Sequence, residues 1–193
     1  MNIETSFLHK INEISIKNNK SINIPLIESA IDYIKEYHKY QKRHSGEPYY
    51  YHPIEVATIV VDYIFDTEVI LAAILHDTVE DTHASLIQIK FIFGEQVAKI
   101  VHILTKMDFD HQLSKEEVFY KINTFKDINK KATTIKIIDR LHNMRTIAHI
   151  KSKQKQKRIA KETLQFYIPL AKYADLPLIA EELQSIVSKI LNF

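Results

Sequence analysis

Apolar residues recur at helical spacing along most of the chain. Periodic stretches run from Leu26 to Tyr40, Pro53 to Ile64, Glu68 to His76 and Leu86 to Leu104, with apolar positions three and four residues apart. Pro25 and Pro53 read as helix starts, where a missing N–H costs no intrahelical hydrogen bond. On that reading His52 is the residue just before a helix that opens at Pro53. Gly94 reads as a break between two helices. The segment Asp108 to Lys130 is more polar and less periodic, and is expected to form a mobile loop or short helices. Residues 1 to 22, rich in Asn, Lys and Ser, read as a frayed N-terminal helix. The C-terminal residues carry Leu, Ile and Glu at helical spacing and complete the domain. No internal repeat is visible.

Composition sharpens this to a single all-α domain covering residues 1–193. Two Gly, five Pro and 46% hydrophobic residues suit an almost wholly helical chain long enough to bury a substantial core. With no Cys there is no disulfide framework and no thiolate metal site, as suits a reducing cytoplasm. The longest unbroken apolar run, Val69 to Leu75, is far too short to span a bilayer, and the N-terminus lacks a signal-peptide pattern. The expectation is a soluble cytoplasmic protein with no membrane partner. A net charge of +2 is too small for a general nucleic-acid surface. The basic run Lys151 to Arg158 reads as a solvated connection between helices, its functional alternative being attraction of an anionic nucleotide.

The chemistry concentrates in His76-Asp77-Thr78-Val79-Glu80-Asp81, one imidazole and three carboxylates beside an apolar run. On a continuous helix His76 would lie under Glu80 and Asp77 under Asp81, making two neighbouring columns. Clustered carboxylates raise one another's pKa unless a cation offsets the repulsion. Mixed imidazole and carboxylate donors suit a first-row divalent ion such as Mn, Fe or Zn better than a structural zinc site. A His-Asp pair alone is weak evidence, so partners must decide. His52 is one candidate. Another is Asp139, which shares a polar stripe with Asn143 and Thr146 in an otherwise apolar helical segment and so reads as lining a cavity. His9, His83, His102, His111 and His149 lack partners at ligand spacing and read as ordinary surface or core residues. His142 reads as support for the Asp139 helix.

The order His52, His76-Asp77, Asp139 resembles the HD superfamily of metal-dependent phosphohydrolases. The flanking blocks are more specific. Arg43-His44-Ser45-Gly46-Glu47-Pro48-Tyr49, His52-Pro53, Leu75 to Thr82, Phe93-Gly94, Thr105-Lys106, Asp139-Arg140-Leu141-His142-Asn143-Met144-Arg145-Thr146 and Glu162-Thr163-Leu164 together resemble the hydrolase domain of the RelA/SpoT family, from about residue 25 to the C-terminus. The resemblance implies an HD-domain helical bundle. It also implies hydrolysis of the 3′-diphosphate of the alarmones ppGpp and pppGpp to GDP or GTP and pyrophosphate, lowering the stringent-response signal. One divalent ion, usually Mn2+ with other first-row metals as alternatives, would be held by His52, His76, Asp77 and Asp139. Glu80 and Asp81 would act in catalysis. Arg43, His44, Ser45, Asn143 and Thr146 would contact the guanine nucleotide, with Arg43 stacked on the base.

Two departures stand out. His44 replaces a Lys common in relatives, exchanging a fixed charge for a titratable one. Lys172-Tyr173-Ala174-Asp175-Leu176 replaces the usual run in which a Gly would end a helix cheaply. Two alternatives remain open from the residues. One is another HD nucleotide phosphohydrolase, acting on NADPH or on deoxynucleotides. The other is a non-catalytic alarmone-binding module.

Overall fold

The structure, a computed structural model, describes residues 2–106 and 127–192. The chain divides into two compact units, Met1–Asp108 and Phe109–Phe193. Both are helical. Among the described residues the β structure is an isolated antiparallel bridge between Lys42 and Pro48, as an all-α fold requires. No helix among them is long and apolar enough to cross a membrane.

The first unit contains α1 (Ile3–Asn18), α2 (Ile24–Tyr37), α3 (Tyr51–Val60), α4 (Thr67–Leu75), α5 (Thr78–Asp81), α6 (Leu86–Phe93) and α7 (Glu95–Lys106). Its centre is α4, where Val69 to Leu75 are all buried, as befits a helix apolar on every side. It packs against α2, α3 and α7. Asp66 caps it, its carboxylate accepting from Glu68 N–H at 2.9 Å and Val69 N–H at 3.2 Å. Gly94 separates α6 from α7 with φ of 99°, a conformation that a side chain would strain.

The N-terminal segment is firmly placed rather than frayed. Asn2 accepts from Thr5 N–H at 2.8 Å at one end of α1. At the other end Asn19 adopts φ of 48° and lets Lys20 N–H reach the Ser15 carbonyl. Phe7 and Ile11 are buried, and Lys10 binds the Thr58 carbonyl at 2.7 Å and Asp62 at 2.6 Å. Burial of two such side chains contributes roughly 3–6 kcal/mol, which outweighs the weak helix propensity of the Asn-rich sequence.

The second unit contains α8 (Asp127–Arg145), a 3-10 turn (Ile147–His149), α9 (Lys153–Glu162), a π turn (Thr163–Tyr167), α10 (Ile168–Tyr173) and α11 (Pro177–Leu191). Helix α11 packs against α8, α9 and α10. Of the polar segment Asp108 to Lys130, residues 108–126 lie outside the described residues, as does His111, and the last four open α8. The basic run is a connection only at Lys151 and Ser152; Lys153 to Arg158 form the start of α9, whose lysines and Arg158 are exposed while Gln156 and Ala160 face inward. The altered run after α10 still closes the helix. Asp175 takes φ of 59°, its N–H reaching the Lys172 carbonyl at 3.3 Å and Leu176 N–H reaching Ala171 at 2.9 Å. Asp tolerates the left-handed region better than most residues, so this Schellman closure forms without glycine.

Candidate metal centre

Three side chains of the first unit converge. Ligand atoms of His52, His76 and Asp77 all lie within 4.8 Å of one another. Helix α4 delivers the His76-Asp77 pair at its C-terminal end. The chain does not run on as one helix there: His76 caps α4, Asp77 adopts φ of −92° and ψ of −9°, and α5 begins at Thr78. The two expected columns are therefore bent at their base. The Asp77 to Asp81 step keeps a helical hydrogen bond, Asp81 N–H to the Asp77 carbonyl at 2.9 Å. An Asp before a helix normally caps its first N–H groups. Asp77 makes no such side-chain bond, and its carboxylate turns to the imidazoles instead.

His52 comes from α3, which begins at Tyr51 rather than Pro53. It is thus inside the first turn, where Pro53 still costs no hydrogen bond. Both imidazoles are buried. His52 Nε2 lies 3.5 Å from Asp77 Oδ2, and His76 Nε2 lies 3.1 Å from Asp77 Oδ1. His76 Nδ1 is 2.7 Å from the Ala73 carbonyl. A carbonyl only accepts, so Nδ1 carries a proton, and Nε2 is the ring nitrogen that faces Asp77 and can serve as a metal ligand. Two buried imidazoles, one fixed in its tautomer by a backbone carbonyl, and one carboxylate fit a divalent first-row ion.

Tyr49 links this cluster to the acidic pair. Its hydroxyl stands 2.8 Å from Asp77 Oδ2 and 2.7 Å from Asp81 Oδ2. Burial, followed by the neighbouring Asp77 and Asp81 carboxylates, pushes the phenol far above its ordinary range, so it is a proton donor at any physiological pH. Its ring stacks on buried His38 with centroids 4.8 Å apart and 21° between planes. His38 Nδ1 meets Gln41 Oε1 at 2.7 Å, and Gln41 Nε2 donates to the Asp81 carbonyl at 2.7 Å. Glu80 and Asp81 are exposed.

Gln41 and Tyr49 form the base of a tight hairpin, Tyr49 N–H donating to the Gln41 carbonyl at 3.0 Å. The tip is closed by Arg43 N–H to Glu47 at 3.0 Å and Gly46 N–H to Arg43 at 2.9 Å, with Gly46 at φ of 94°. Arg43 and Ser45 are half-buried and His44 is exposed. The Ser45 hydroxyl donates to Glu47 at 2.8 Å. The turn that carries Arg43, His44 and Ser45 is thus anchored on Gln41 and Tyr49, both of which bond Asp81. His38, Gln41 and Tyr49 carried no role in the sequence reading. The available signal was the symmetric placement of Gln41 and Tyr49 about the Lys42-to-Pro48 turn.

In the second unit, Asp139 and Asn143 share one half-buried face of α8 and Thr146 follows its last residue at the same spacing, with buried Ile137, Leu141 and Met144 on the opposite face. Asn143 Nδ2 donates to Asp139 Oδ1 at 2.7 Å. The Thr146 hydroxyl donates back to the His142 carbonyl at 3.1 Å. His142 is buried.

Fold and site define the class: the chain belongs to the HD domain family, matching it over residues 30–176. Its similarity to individual proteins bears out the RelA/SpoT resemblance. It is 37% identical over 175 residues to the GTP pyrophosphokinase rsh of Brucella melitensis, covering 89% of this chain and 23% of that protein. It is 38% identical over 166 residues to the guanosine-3′,5′-bis(diphosphate) 3′-pyrophosphohydrolase of Aquifex aeolicus, covering 86% of this chain and 24% of that protein. The chain thus spans less than a quarter of the length of these two relatives. A solved structure described as "A metazoan ortholog of SpoT hydrolyzes ppGpp and plays a role in starvation responses" superposes with a TM-score of 0.60 at 27% identity, covering 89% of this chain and 97% of that one.

Proposed function

We propose that this chain is a divalent-metal-dependent hydrolase, in the cytoplasm, that removes the 3′-diphosphate of (p)ppGpp as pyrophosphate, with Mn2+ as the working ion. The observation that carries the reading is the convergence of His52, His76 and Asp77 within 4.8 Å beside an acidic pair. Support for the substrate comes from the Aquifex relative and the metazoan SpoT ortholog, whose names state that chemistry.

In this reading His52, His76 and Asp77 hold the ion, and the resemblance adds Asp139 as a further ligand. The bound ion would supply Lewis acidity toward a diphosphate oxygen and lower the pKa of water to near neutrality. Glu80 and Asp81, one turn past the His76-Asp77 pair, orient the attacking water and take its proton. Arg43 stacks on guanine, Ser45 and His44 flank the base, and Asn143 and Thr146 meet the ribose or phosphates.

The test is metal-stripped protein resupplied with Mn2+ and given ppGpp, NADPH and dGTP in parallel, with Glu80→Gln as control. Mn2+-dependent release of pyrophosphate from ppGpp, lost in the variant, is the expected result. Consumption of NADPH or dGTP in its place would overturn the substrate, and binding of ppGpp without turnover would overturn the enzyme reading.

A further inference from the structure

We propose that Tyr49 is a positioning residue whose hydroxyl ties the ligand Asp77 to the acid Asp81. This inference rests on the metal-centre reading above and extends it to a residue outside the proposed ligands and acids.

Two carboxylates this close repel. The Tyr49 hydroxyl sits between them at 2.8 Å and 2.7 Å. Its single hydrogen is shared between the two carboxylates or given to one at a time, and Asp77 Oδ1 is left on the His76 side, 3.1 Å from Nε2. A hydrogen bond to a ligating carboxylate fixes its rotamer and its basicity. The ring is itself immobilised by the stack on His38 and an edge contact with His52 at 6.1 Å between centroids. Its backbone is pinned by Tyr49 N–H to the Gln41 carbonyl at 3.0 Å. Gln41 in turn holds the backbone of Asp81 at 2.7 Å. One hairpin base therefore sets both the position of Asp81 and the angle of its carboxylate relative to Asp77.

Tyr49→Phe removes one oxygen and keeps the ring stack. Mn2+ affinity, followed by the paramagnetic resonance of free Mn2+ during titration of metal-free protein, is expected to fall about 10- to 100-fold. The kcat for ppGpp should fall at unchanged KM, with the melting temperature of metal-free protein nearly unchanged. A variant that matches wild type in Mn2+ affinity and kcat overturns the proposal. So does one that loses only thermal stability. Asp81→Ala and the double variant complete a cycle: a shared tie requires that the two losses in Mn2+ affinity combine to less than their product, and independent factors overturn it. If wild type binds Mn2+ but leaves ppGpp intact, the substrate reading fails and the Mn2+ affinities alone decide the role of Tyr49. If wild type binds no Mn2+, the metal reading fails and takes this inference with it.

Discussion

The imidazoles of His52 and His76 meet edge to face, with centroids 5.3 Å apart and 71° between planes. They come from the first turn of α3 and the end of α4, so packing of the two helices preorganises both donors before any ion arrives. A preformed site binds the native state and not the unfolded chain. Mn2+ at a hundredfold excess over its dissociation constant should then stabilise the protein by about 2.7 kcal/mol. A thermal melt with and without chelator reads this directly. His76→Ala should abolish the shift.

Arg140 and Glu162 pair at 2.5 Å, with side chains only 16% and 17% exposed. Burial opposes the guanidinium charge, but Tyr167, Glu162 and Asp139 more than offset it and hold Arg140 above its ordinary value. The guanidinium also lies 4.1 Å from the Tyr167 ring centroid. Removing the carboxylate alone strands a buried cation. Glu162→Ala should cost about 3–5 kcal/mol in urea unfolding, and an Arg140→Met/Glu162→Leu double variant far less.

Arg145 grips Glu182 with two bonds, 2.6 Å and 2.8 Å, and those bonds hold the Glu182 carboxyl below its ordinary value. A depressed folded pKa contributes stability that is present above the unfolded value, about 4.3, and is lost as pH falls through the folded one. Both side chains are about two-fifths exposed, 43% and 39%, so screening limits the contribution to about 0–1 kcal/mol. Glu182→Gln should show that deficit at pH 7 and none once the folded carboxyl is protonated. Denaturant melts across pH 2 to 7 check it.

Asp175 closes α10 at φ of 59° where glycine carries no side-chain penalty. Asp175→Gly should raise stability by about 0.5–1 kcal/mol, measured by urea unfolding, with no change in Mn2+ affinity.

Much was legible in the chain alone. Helical spacing set the identity of the elements because each helix buries one face, and α4 could be recognised as central because Val69 to Leu75 leave no polar face. His76-Asp77 was visible because neighbouring donors need no fold to be adjacent. The Asp139–Asn143–Thr146 stripe was visible for the same local reason. Tertiary structure decided what local pattern cannot encode. It bent the chain at Asp77, turning the carboxylate from helix capping to the imidazoles, and it brought His52 from another helix into reach. It fixed the His76 tautomer through Ala73. Burial of Phe7 and Ile11 ordered a segment whose composition argued for fraying. Tyr49 and His38 acquired their places only by packing, since contacts between residues distant in the chain depend on how helices cross, and helical periodicity specifies a buried face but not the partner that covers it.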